Sequence, residues 1–82
     1  MSRSRDNVNS MMVTQGINDL QERFDYDGTG NCIYKGQAPR GADMAENVWT
    51  ISKFTYDGSN NCVLKQTAFD TWSNRAGDAV YA

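Results

Sequence analysis

The residues densest in metal-binding oxygens are Asp25, Tyr26, Asp27, Gly28, Thr29, Gly30 and Asn31. Calcium is the ion such a stretch first suggests. An EF-hand loop, however, places its glycine sixth and a bidentate glutamate twelfth, because the chain must turn sharply and then close the coordination sphere with a carboxylate. Here Gly28 stands fourth and Lys35 lies near the place of the acid. A second copy of the stretch has Thr55 where Asp25 stands, so the pattern reads as a turn and not as a metal site.

Thiol chemistry rests on Cys32 and Cys62. Two cysteines are too few for a disulfide scaffold and too far apart for a zinc knuckle without further His or Cys ligands. They hold equivalent places in the two copies, so a cross-strand approach is one reading; small buried hydrophobes in a reducing compartment is the other. The chain has no histidine, which removes the commonest general base and metal ligand together. No Ser, Cys or Lys has an activating base nearby in sequence, and no glycine loop opens a helix that would hold phosphate. Neither a catalytic constellation, a metal site nor a cofactor site is expected.

The elements around these residues are β-strands. The stretch 48–66 sets two runs rich in aromatic and β-branched residues around Asp57-Gly58-Ser59-Asn60-Asn61, which reads as a β-hairpin. Alternation puts Trp49, Ile51, Lys53 and Thr55 on one strand face and Val48, Thr50, Ser52, Phe54 and Tyr56 on the other. Gly58 and the asparagines are expected to supply the positive φ of a tight turn. Residues 24–35 repeat residues 54–65 at a constant offset, matching in Phe, Tyr, Asp, Gly, Asn, Cys and Lys. Two successive hairpins with one turn chemistry follow, giving a meander. A strand is expected near Leu20 to Tyr26, with a turn or short helix over 11–18. Pro39 ends a strand, and the connection that follows, with Arg40 and Met44, is a natural place for contact with another chain. Phe69 and Trp72, three apart, suggest a helical turn that covers one sheet face. Arg75 is expected either to bridge Trp72 to Asp70 or Asp78 or to remain a solvated surface arginine. Residues 76–82 read as a last short strand on an edge.

With 82 residues the chain is one domain, near the size where a single core supplies only a few kcal/mol and association often adds the rest. Two Trp, four Tyr and three Phe offer large contact areas to a core or an interface. A net charge of −2, with no basic run beyond Arg3 and Arg5, gives no footprint for nucleic acid. No apolar run is long enough to span a membrane. The division expected is an N-terminal arm over 1–18, with Arg3, Arg5 and Val8 as candidate contacts for a neighbour, and a small β domain over 19–82.

Tyr34, Gly36, Ala38, Pro39 and Gly41, then Trp49 and Ile51, then Trp72, Asn74, Arg75, Ala76 and Tyr81 form an ordered pattern. In that order and spacing the chain resembles a widespread family of small tailed-bacteriophage proteins, over residues 25–82. The resemblance implies a structural component of the virion, in head, neck or tail, made in the host cytoplasm. It implies other virion proteins as partners in many symmetric copies, and a homo-oligomer as one form. The alternative is a binding module for host-surface glycan or peptide that uses exposed aromatics. The fold class expected is all-β: a small antiparallel meander of four to five strands, as a sandwich or partly open barrel. Trp49, Ile51, Phe54, Tyr56, Gly58, Phe69, Trp72 and Arg75 are its expected structural residues.

Overall fold

In the computed structural model, which describes residues 19–82 and the backbone of Met12–Gln15, the chain is an all-β antiparallel meander. Its strands are β1 (Met12–Gln15), β2 (Leu20–Tyr26), β3 (Cys32–Pro39), β4 (Trp49–Tyr56) and β5 (Cys62–Asp70), hydrogen-bonded in chain order as one five-stranded sheet. A 3-10 turn follows at Trp72–Asn74. The sheet is open: β1 and β5 are its edges, and among the described residues no second sheet stacks on it. The turn or short helix expected over 11–18 is instead, at Met12–Gln15, a strand paired with β2. Arg3, Arg5 and Val8 lie outside the described residues.

The two hairpins repeat each other in detail. Asp27 and Asp57 each bond their amide to the carbonyl of Asn31 or Asn61 at 2.9 Å and accept at their own carbonyl the amide of Gly30 or Asn60 at 3.1 Å. This is a three-residue loop closed by a residue in the left-handed region. That residue is Gly30 (φ 92°) in the first hairpin and Asn60 (φ 66°) in the second. Gly58, expected to carry positive φ, does not; it sits earlier in the loop, where the turn is right-handed. Each loop leads through a register shift, at Asp25/Tyr26 and at Thr55/Tyr56, so that Ile33 and Val63 are extra residues on the outgoing strands.

The core lies on one face. Trp49 and Ile51 are fully buried, with Ala38, Ala68 and Trp72 almost so, and Thr50 between the first two is exposed, as alternation requires. Each buried indole removes on the order of 200 Å² from water, worth at most about 5 kcal/mol. The covering layer is the connection after β3 and the segment after β5. Asn47 donates its amide to the Asp43 carbonyl at 3.2 Å, closing one helical turn, and Asp43 also accepts the Trp49 indole N–H at 3.1 Å. Ser73 then donates its amide to the Met44 carbonyl at 2.9 Å, tying the two covering segments together.

Trp72 lies across β3 because Gly36 leaves room. A Cβ built on Gly36 would stand 2.5 Å from the Trp72 ring and 3.1 Å from that of Trp49. The indoles meet tilted, with ring centroids 5.9 Å apart. Arg75 fastens this segment. Its guanidinium lies 4.6 Å from the Trp72 ring and pairs with Asp25 of β2 at 3.1 Å, in place of the expected Asp70 or Asp78. The Tyr81 hydroxyl donates to the Arg75 carbonyl at 2.8 Å. Residues 76–82 form no strand, yet Ala82 and Thr67 exchange two backbone bonds of 3.0 and 3.2 Å, so the segment does pair with the β5 edge.

Candidate interaction face

Registers assign the other face of the sheet without ambiguity. Phe24 stands opposite Lys35, Lys35 opposite Ser52 and Ser52 opposite Thr67, in one row across β2 to β5. The neighbouring row is Glu22, Gln37, Thr50 and Phe69, and Phe54 stands opposite Lys65 in the row toward the hairpin tips. No described segment covers these rows, and Phe69 is 71% exposed. Such an exposed large aromatic on an uncovered sheet face is the feature that marks a contact surface, since solitary small apolar groups are ordinary.

The expected helical turn is present at Trp72–Asn74 and its Trp72 covers one face, but Phe69 is not part of it. Strand β5 runs through Phe69 to Asp70, and alternation sends Phe69 to the open face while Trp72, past the strand's end, folds back over the other. Phe54 is likewise on the open face, so neither phenylalanine joins the Trp49–Trp72 cluster.

The repeat builds a matching pair of contacts on this face. Lys35 Nζ lies 6.0 Å from the centre of the Phe24 ring, and Lys65 Nζ lies 6.0 Å from that of Phe54. At that distance each ammonium stands at the outer limit of a cation–π contact with its ring. Glu22 is held by the Gln37 side-chain amide, which donates to it at 2.6 Å. Toward the tips, Tyr26 stacks beside Phe24 with centroids 6.5 Å apart, and the Tyr56 hydroxyl donates to the Cys32 carbonyl at 2.8 Å. Burial raises both tyrosines above the usual phenol value, so they are neutral donors at pH 7.

The remaining candidates scatter. Arg40 pairs with Asp19 at 2.9 Å on the surface and Met44 is exposed, both at the end of the sheet away from the hairpin tips. An open pocket of about 350 Å³ there is lined by Pro39, Arg40, Gly41, Ala42, Asn47 and Val48. Cys32 and Cys62 are free thiols, and β4 lies between their strands, so two interstrand spacings, roughly 10 Å, keep them beyond disulfide reach. Burial, the largest cause, raises the Cys32 thiol above its ordinary value and so favours the neutral form. The Asp27 and Asp57 carboxylates are occupied by their own loops. Among the described residues no group of His, Cys, Asp or Glu is arranged to hold a metal ion. Nothing matches this chain in comparisons with protein-family models, curated proteins and solved structures.

Sequence reasoning missed Gly36 and the Arg75–Asp25 pair. A glycine inside a strand is itself the signal for a close approach by another group, and Gly36 carried it. Asp25 had no such signal, since it lies fifty residues from its partner.

Proposed function

We propose that this protein is a structural component of a tailed-phage virion that acts through protein–protein contacts in a symmetric assembly and performs no catalysis. The observation that carries the reading is the division of one small sheet into a covered face and an open face with Phe69 at 71% exposure. A domain this small gains most from burying such a face against a neighbour. The ordered pattern from Tyr34 to Tyr81, with its resemblance to small tailed-phage proteins, supplies the setting. Glycan binding is the weaker reading, because sugars stack on free ring faces and Lys35 and Lys65 already stand over those of Phe24 and Phe54.

The test is quantitative mass spectrometry of purified particles. Many copies per particle, reduced when Phe69 is replaced by aspartate in a variant that remains folded, are expected. Consistent absence from particles, with abundant free protein in the lysate, overturns the reading.

A further inference from the structure

Strand β5 is an outer edge of the sheet, paired with β4 on one side only. In an antiparallel ladder alternate residues point their N–H and C=O away from the partner strand. Thr67 is such a residue: it donates its amide to the Ala82 backbone oxygen at 3.2 Å and accepts the Ala82 amide at 3.0 Å. The register with β4 is regular from Lys65 to Asp70, so Lys65 and Phe69 turn their backbone groups the same way as Thr67. Among the described residues nothing bonds those groups. Val63, Leu64 and Phe69 also expose apolar side chains along this strand. A long edge with apolar side chains and unpaired backbone is a template for strand addition.

The strand best matched to this edge is β5 of another copy. A two-fold axis through Thr67 sets Thr67 opposite Thr67, and Lys65 of each copy opposite Phe69 of the other. Lys65, Thr67 and Phe69 then all exchange backbone bonds across the axis. No like charges face each other in this register, since Lys65 meets an aromatic ring and Asp70 meets Leu64. Ala82 lies at the centre of that register.

Its neighbour holds it there. Tyr81 packs on Tyr34 with ring centroids 6.3 Å apart, and the Lys53 ammonium stands 5.3 Å from the Tyr81 ring. The Tyr81 hydroxyl donates to the Arg75 carbonyl at 2.8 Å. Ala82 is thus carried to the edge by an anchor on the covered face, and not by its own small side chain. We propose that Tyr81 and Ala82 guard the β5 edge, occupying its centre so that β5 of a second copy does not add there. The proposal concerns an edge and not the open face, and it stands or falls independently of the virion reading.

Sedimentation equilibrium of the full chain and of Ala82→Pro tests it. The substitution removes the amide that bonds Thr67 and leaves Tyr81 in place. Association is expected to rise roughly tenfold above that of the wild-type chain, whose own association through any other surface is the baseline. Tyr81→Ala, which releases the anchor, is expected to act in the same direction. Adding Lys65→Pro removes an outward amide, a change that an edge strand tolerates, and should return either variant to the baseline. Circular dichroism establishes that each variant is folded, and Ala82→Pro decides if Tyr81→Ala is not. In the wild-type chain, hydrogen exchange should be slower at the Thr67 amide than at those of Lys65 and Phe69. A folded Ala82→Pro variant that associates no more than the wild type overturns the proposal, as does a rise that Lys65→Pro leaves intact. Equal exchange at the three amides overturns it as well.

Discussion

The two faces of this sheet share strands, registers and hairpin turns, and differ in what the flanking segments do. On one face, Trp49 and Ile51 are sealed because the connection after β3 and the segment after β5 both fold over it. On the other, Phe24, Phe54 and Phe69 are equally apolar and nothing described lies above them. Aromatic content does not decide which face is core. Gly36 does, because only a strand without a side chain at that position admits the Trp72 indole.

The largest break in the contrast comes from Trp49→Ala. Loss of a fully buried indole should cost about 3 to 5 kcal/mol, most of the stability of a domain this small, and thermal or urea denaturation will show a largely unfolded chain. Phe69→Ser, on the open face, should change the same curves by no more than about 0.5 kcal/mol. Comparable losses in the two variants would mean that the faces are not distinct.

Gly36→Ala sharpens the account with the smallest possible addition. A methyl group 2.5 Å from Trp72 must displace that ring, at about 1 to 3 kcal/mol. Trp72 fluorescence should shift toward longer wavelength as the indole lifts, in a background where Trp49 is replaced by phenylalanine. An unshifted spectrum and melting temperature would show that the ring has another place to rest. Arg75→Met keeps most of the stem's packing and removes the pair with Asp25, whose side chains are 21% and 22% exposed. A loss of about 1 to 2 kcal/mol is expected, with faster hydrogen exchange at Ala82 and Thr67 as the segment loosens.

These differences mirror what the sequence could express. The hairpins, the strand over 20–26 and the alternation of β4 were readable because each depends on neighbours a few residues away, and the repeat read the turn twice. The placement of Phe69 was not, since a Phe and a Trp three apart fit both a helical turn and a strand that ends between them. Local spacing contains no term for where β5 stops, which is set by its ladder with β4. The β1 strand was hidden for the same reason: Val13, Ile17 and Leu20 follow helical spacing, and pairing with β2 overrides it at Met12–Gln15. Arg75 and Asp25 meet only because the C-terminal segment crosses back over three strands. The open face as a surface required knowing that no described segment covers it, and coverage is a tertiary fact.

The smallest effect concerns the two hairpin tips, where the repeat permits an internal control. Asp27 Oδ1 accepts the Thr29 amide at 2.9 Å, the Thr29 hydroxyl at 2.8 Å and the Asn31 amide at 2.9 Å. Asp57 Oδ1 accepts the Ser59 and Asn61 amides at 2.8 and 3.0 Å. Hydrogen bonds to the ionised form hold both carboxyls below the usual aspartate value, chiefly through the Thr29 side chain in the first tip and the Asn61 amide in the second. A depressed folded-state value means that the unfolded chain binds protons first. The stabilisation is thus fully present above the unfolded aspartate range, near pH 4, and is lost as pH falls through the lower folded-state values. Both carboxylates are open to solvent, so the contribution is small and is best read as the slope of melting temperature against pH between about 5 and 2. Asp27→Asn and Asp57→Asn should each flatten that slope, Asp27→Asn more, because its turn has the additional hydroxyl bond. Thr29→Val, which deletes that bond and leaves the carboxylate in place, should reduce the Asp27 slope to the size of the Asp57 one. Equal slopes in the wild-type tips would show that the Thr29 hydroxyl bonds water in preference to Asp27.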